Sequence, residues 1–223
     1  MIYMENILIC IVSPLLIAFF LVRGETRRFI GFYILGLVAC LFSAHIDSFL
    51  VAAFTGNIYA GMTETQALIQ ITPICEEVMK ALPVFLFVAI MLPEPGNIVA
   101  ASFATGLGFA TFENICYILQ HGADDFFFIL VRGFSAGVTH AVCAAILGYG
   151  LAMVYRRGRL AFPGSFALLC VASTYHGIYN LLVVEEGVLR TAGYIMPIIT
   201  AAAILCAIIW RGGALTENHR ADA

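Results

Sequence analysis

The sequence has little charge. Asp, Glu, Lys and Arg make up 11% of its 223 residues, against about 25% in an ordinary soluble domain. It contains a single lysine, Lys80. The formal net charge of −3 is too small to attract nucleic acid, so no nucleic-acid partner is expected. No glycine-rich phosphate loop occurs. No GxSxG is present, which disfavours serine catalysis. No CxxC pair occurs either, and all the cysteines (10, 40, 75, 116, 143, 170 and 206) fall in apolar stretches. They read as small buried hydrophobes and not as a disulfide framework. The opening MIYMENILIC carries Glu5 and neither Lys nor Arg, so it lacks the positive start of a cleaved signal peptide and reads as a retained first span.

What the chain has in excess is hydrophobicity: 62% of residues, with a mean hydropathy of +0.98. This composition predicts an all-α, polytopic membrane helix bundle in which residues 1–223 form one integral membrane domain within a lipid bilayer. A spanning helix needs about 20 mostly apolar residues. Seven segments qualify: 6–22, 29–53, 66–92, 98–120, 126–154, 162–184 and 194–210. The intervening stretches, such as RGETRR (23–28), PEPGN (93–97) and RRGR (156–159), are charged or turn-rich. Arginines collect on the cytoplasmic side of membrane proteins. With the N-terminus outside and the C-terminus inside, Arg23, Arg27, Arg28, Arg156, Arg157, Arg159, Arg211 and Arg220 all fall inside. Arg190 falls outside, beside Asp124, Asp125, Glu185 and Glu186. In the fifth span, Gly133 and Gly137 have GxxxG spacing with Ala141 four further on, which predicts close helix packing there.

The informative residues are the polar ones inside the spans, each costing about 2.5–3.5 kcal/mol to insert. They are His45 and Asp47, Glu76, Glu77 and Lys80, Glu113, Arg132 and His140, and His176, with Asn114 and Asn180 as neutral polar groups. Glu76 and Lys80 share a helix face at i,i+4, as do Glu113 with Tyr117 and His176 with Asn180. Glu76 and Glu77 lie about ten residues in from the outer face, His140 about fourteen in from the same face, and Glu113 and His176 about fourteen to fifteen in from the inner face; at about 1.5 Å per residue these levels coincide near mid-membrane. His45 and Asp47 face different ways and read as structural. If all were ionised, Asp47, Glu76, Glu77 and Glu113 would outnumber the cations Lys80 and Arg132. Either some carboxylates stay protonated or a cation sits among them. Glu113, His140 and His176, with one of Glu76 and Glu77, would make a divalent-metal site. Both alternatives leave a carboxylate able to handle a proton from water.

These residues resemble the PrsW family of intramembrane proteases, which is related to the CPBP group containing the CAAX-type prenyl endopeptidases. The family's EExxK is matched by Glu76, Glu77 and Lys80, and its FExxxY by Phe112, Glu113 and Tyr117. Its later-span histidine is matched by His140, and its closing HxxxN/D by His176 and Asn180. The motifs come in order on successive spans and cover residues 66–184, the expected catalytic core. Glu113 stands where the prenyl proteases tend to carry histidine, which favours the PrsW branch. The resemblance implies hydrolysis of a peptide bond in a membrane-anchored protein, of the anti-sigma-factor kind, cut near its extracytoplasmic side. It also implies a multi-pass protein of a prokaryotic plasma membrane.

The roles expected are these. Glu76, or else Glu77, activates water, and its neighbour tunes it or orients Lys80. Glu113 and His140 complete the water or metal site, with a divalent cation such as zinc as the candidate cofactor. His176, supported by Asn180, stabilises the oxyanion. Arg132 and Tyr117 act in support. The rival function is a proton- or cation-coupled transporter, since membrane carboxylates and histidines also build proton relays. A retinal-type receptor would need a lysine in its last span, and residues 194–210 contain none.

Overall fold

A computed structural model describes residues 12, 16, 19–20, 23–56, 62–121 and 126–221, with side chains beyond Ala207 and those of His121, Phe128 and Arg132 outside the description. Its elements are α1 (Gly24–Thr55), α2 (Glu64–Gln70), α3 (Thr72–Met91), α4 (Pro95–His121), α5 (Phe126–Val131), a π-helical turn (Arg132–Ala136), α6 (Gly137–Val154), a 3-10 turn (Gly158–Leu160), α7 (Ala161–Val184) and α8 (Val188–Ala221). No strand occurs among the described residues.

Five helical stretches are long and apolar enough to cross a membrane: Gly24–Thr55, Pro95–Gln120, Ile129–Val154, Gly158–Val184 and Val188–Ala207. The expected first span, 6–22, lies almost wholly outside the described residues. The expected third span is not one helix. It breaks at Ile71 into α2 and α3. Pro73, in the first turn of α3, has no N–H to continue the ladder from α2, which explains the break. α2 starts on a capping box, with Thr63 accepting from the Gln66 backbone N–H and the Gln66 side chain accepting from the Thr63 N–H. α3 alone has 20 residues and carries Glu76, Glu77 and Lys80, too much charge for a simple apolar span. Large apolar side chains point outward, as lipid-facing surfaces require: Phe49 and Phe126 are each 72% exposed and Phe162 is 83% exposed. The ionisable residues of α3 are buried instead.

α4 is the central element, held by close backbone approaches at glycine. A Cβ on Gly36 of α1 would stand 2.1 Å from the Thr105 carbonyl of α4, and one on Gly108 would stand 2.1 Å from the Tyr33 carbonyl of α1. On its other side, a Cβ at Gly106 would meet Ala144 Cβ of α6 at 2.7 Å and the His140 carbonyl at 3.2 Å. A Cβ at Gly148 of α6 would meet Ser102 Cβ at 2.8 Å. Helices lacking side chains at these points gain van der Waals contact in lipid, where no hydrophobic force drives them together. Gly133 does not take part in such packing, contrary to the GxxxG expectation: a Cβ there would meet nothing within 4 Å. The π turn at Arg132–Ala136 supplies the reason, because its wider winding shifts the phase of everything before Gly137 relative to α6.

The core beside the site packs Leu37, Ala39 and Cys40 of α1 against Phe109 and Phe112 of α4. A second core, Val84, Val88, Ile98 and Leu151, joins α3, α4 and α6 nearer the opposite end of α3.

Candidate active site

Four helices bring the expected residues to one place. Glu76, Glu77 and Lys80 come from α3, Glu113 from α4, His140 from α6 and His176 from α7. Glu76, Glu77, Lys80, His140 and His176 are all buried. Each is delivered by a local feature. The break at Ile71 lets α3 start within the bundle, so that its first two turns present both glutamates. The π turn ends one helical turn before His140. Gly177, next to His176, has its Cβ position 2.9 Å from the Ile69 carbonyl, so only glycine lets α7 lie against the end of α2.

The hydrogen bonds form one connected chain. Lys80 Nζ donates to Glu77 Oε1 at 2.5 Å and to His140 Nδ1 at 2.9 Å. An ammonium has only donors, so Nδ1 of His140 must accept, and the proton of its neutral ring sits on Nε2. That Nε2–H points at Glu113 Oε2, 2.5 Å away. His176 Nδ1 lies 2.9 Å from the same Glu77 Oε1. A carboxylate oxygen can only accept, so His176 donates from Nδ1 and keeps a lone pair on Nε2. The two imidazoles stand edge to face with centroids 5.2 Å apart.

Glu77 Oε1 thus accepts twice, whereas Glu76 Oε2 has no donor. Glu76 Oε2 lies 3.8 Å from His176 Nδ1. It is buried with no hydrogen-bond partner. Glu76 also lines a cavity of about 180 Å³ with Glu113, Tyr117, His140, His176 and Asn180. One surface therefore carries every expected catalytic residue except Glu77, which stands behind it.

A divalent cation fits this donor set. Glu76, His140 and His176 offer ligand atoms that all lie within 4.8 Å of one another, and Glu113 adds a second carboxylate directly against His140. Two imidazoles flanked by carboxylates are borderline ligands of the kind divalent zinc prefers. The unpartnered Glu76 oxygen stands beside this group, 3.8 Å from His176 Nδ1, and is left to accept from a water. A second group, Glu77, Cys143 and His176, also has ligand spacing. It shares Glu77 with the Lys80 ammonium, whose positive charge opposes a cation there.

Other expected residues are placed less centrally. Tyr117 lines the cavity. Asn180 donates to the Leu68 carbonyl at 3.1 Å, tying α7 to the end of α2. The side chain of Arg132 lies outside the described residues, although its backbone opens the π turn. Asp47 accepts from Thr72 Oγ1 at 3.1 Å, away from the imidazoles.

Three contributors went unnoticed in the sequence. Phe109 lies with its ring centroid 4.7 Å from Lys80 Nζ and 5.4 Å from the His140 ring. Cys143 adjoins Glu77 and His176, and Thr72 lines the cavity wall before Glu76. Phe109 is one turn before Glu113, and Cys143 is one turn after His140. Helical spacing from the polar residues is the signal that points to both.

A bundle of apolar helices around a buried, hydrogen-bonded centre of glutamates and histidines is the arrangement a membrane-embedded hydrolase needs. The family model of the PrsW family intramembrane metalloproteases matches residues 25–208, most of the chain, and the protein belongs to that family. It is therefore an integral membrane protease acting on a protein substrate in the membrane. No curated protein and no solved structure matches the chain.

Proposed function

We propose that the protein is an intramembrane endopeptidase in which Glu76 activates water against a peptide bond of a membrane-anchored protein, in the class of anti-sigma factors. The observation that carries this reading is the asymmetry between adjacent glutamates: Glu77 holds Lys80 and His176, while Glu76 presents an unpartnered oxygen to the two histidines.

The chain's own residues then act as follows. Glu76 accepts a proton from water as the oxygen bonds to the scissile carbonyl carbon. The proton passes to the amide nitrogen as the C–N bond breaks, leaving a new carboxyl and a new amine. Glu77 and Lys80 form the fixed frame, Lys80 orienting His140 and Glu77 orienting His176. His140, His176 and Glu113 would hold a divalent ion, whose chemistry there would be Lewis-acid polarisation of the carbonyl and a more acidic water. With Nδ1–H committed to Glu77, His176 would serve as a ligand through Nε2, the metal role among the two expected of it from sequence. Tyr117 and Asn180 bound the space beside the reacting carbonyl.

The chain crosses the membrane seven times with its N-terminus outside, and the cut falls near the extracytoplasmic side of a prokaryotic plasma membrane. Arginine placement supports the orientation. The catalytic core is 66–184 within a single domain.

The test compares metal content and cleavage of a single-span substrate in detergent. Glu113→Gln and His176→Ala should lose both bound zinc and cleavage, and a chelator should abolish wild-type activity reversibly. Full activity in protein freed of metal would refute the metal role. Wild-type cleavage by both variants would refute the site.

A further inference from the structure

Hydrolysis in a bilayer needs water at Glu76, and the 180 Å³ cavity carries the two histidines on which the scissile peptide would have to lie. A second cavity of about 280 Å³ lies on the other side of Glu76 and Glu113, between α1, α3 and α4. The two cavities share Leu68, Thr72, Glu76, Glu113 and Tyr117. They therefore meet at the two carboxylates.

The lining of this second cavity mixes apolar side chains, Leu41, Phe109 and Phe112 among them, with a run of polar ones. Ser43, Asp47 and Ser48 come from α1, Thr72 from α3, and Tyr117 and Gln120 from α4. Gln120 stands one residue from the end of α4. Glu113 stands seven residues deeper, about 10 Å of helix rise. The polar wall thus runs from the helix end to the glutamates. Asp47 Oδ1, on that wall, is buried without a hydrogen-bond partner, as is Glu76 Oε2 at its inner end. Ser43, Ser48 and Thr72 are hydrogen-bonded within the protein, but Asp47 Oδ1 and Glu76 Oε2 are not, and unsatisfied polar atoms in hydrocarbon cost several kcal/mol each, so water is the partner this wall calls for. The contrast within the same molecule is direct. A 390 Å³ groove between α3, α6 and α7 is walled by Phe85, Val88, Leu92, Leu151, Phe162 and Phe166 among others, as a lipid-facing pocket should be.

We propose that the cavity between α1, α3 and α4 is the route by which water reaches Glu76, and that the peptide occupies the other cavity. This rests on the protease reading, but its first test does not use catalysis. Ser48 lines the cavity, while its neighbour Phe49 points to lipid at 72% exposure. Ser48→Cys and Phe49→Cys are made in a background whose native cysteines are replaced, and each is treated with a charged, membrane-impermeant methanethiosulfonate in proteoliposomes without substrate. The thiolate is the reacting species, so labelling of Ser48→Cys should be at least about tenfold faster than of Phe49→Cys. Equal or slower labelling would overturn the route, whatever the protein's activity.

The second arm uses Ala44→Phe, which narrows the same cavity from α1. It should lower kcat and leave KM unchanged. A raised KM, or protection of Ser48→Cys from the reagent by bound substrate, would overturn the assignment by making this cavity the peptide's. Circular dichroism and the labelling pattern identify a variant that fails to fold, and Ala44→Leu then takes its place.

Discussion

Replacing each glutamate of the adjacent pair separates frame from chemistry. Glu77 Oε1 accepts from Lys80 at 2.5 Å and from His176 at 2.9 Å, with all three side chains buried. Glu77→Gln keeps the shape but removes the only negative charge in direct contact with the Lys80 ammonium among the described ion pairs. Breaking a buried pair in this way costs about 3–5 kcal/mol, because the remaining charge stays desolvated. Glu76→Gln replaces a carboxylate whose Oε2 has no hydrogen-bond partner, so its cost should stay below about 1 kcal/mol. Reversible unfolding in mixed detergent micelles measures both. Adding Lys80→Met to Glu77→Gln removes the stranded charge, and the double variant should recover part of the loss, with a coupling energy of about 1–3 kcal/mol. If Glu77→Gln unfolds within about 1 kcal/mol of wild type, the Glu77–Lys80 pair is not the frame described, and the distinction between the two glutamates fails.

Two further outcomes follow from packing and donor geometry. Gly36→Ala places a Cβ against the Thr105 carbonyl and should cost about 3 kcal/mol or more, whereas Gly133→Ala meets open space and should stay within about 0.5 kcal/mol; equal effects in thermal unfolding would contradict the assigned helix crossings. Zinc binding should release about one proton per ion, because Nε2 of His140 must lose the proton it points at Glu113 while Lys80 passes one to Nδ1, keeping the ring neutral. Calorimetry in buffers of different ionisation enthalpy reads that number, and no release would contradict His140 as a ligand through Nε2.

Much of the site is legible in the sequence because insertion energy forbids idle charge. Glu76, Glu77, Lys80, Glu113, His140 and His176 stand out against apolar spans, and counting residues from the helix ends places them at one depth. Helical periodicity then indicates which side chains share a face. What stays hidden is backbone detail that composition does not encode. The break at Ile71 could be inferred from Pro73, but a run of apolar residues on both sides masks it. The π turn at Arg132–Ala136 leaves no residue signature, so GxxxG spacing misplaces the contact at Gly133. The reciprocal contacts of Gly36 and Gly108 join helices far apart in sequence, and a glycine marks an approach without naming its partner. The adjacent glutamates cannot be told apart by position alone. Their different partners, Lys80 and His176 for one and an open cavity for the other, distinguish them.

The central claim is that Glu76 is the base. The measurement that tests it most directly is single-turnover cleavage of a one-span substrate by Glu76→Gln, with zinc content and substrate binding determined on the same preparation. Loss of a positioned base should slow cleavage by at least about 100-fold, with zinc and substrate still bound. Cleavage within about tenfold of wild type by a zinc-loaded, substrate-binding Glu76→Gln would contradict the account.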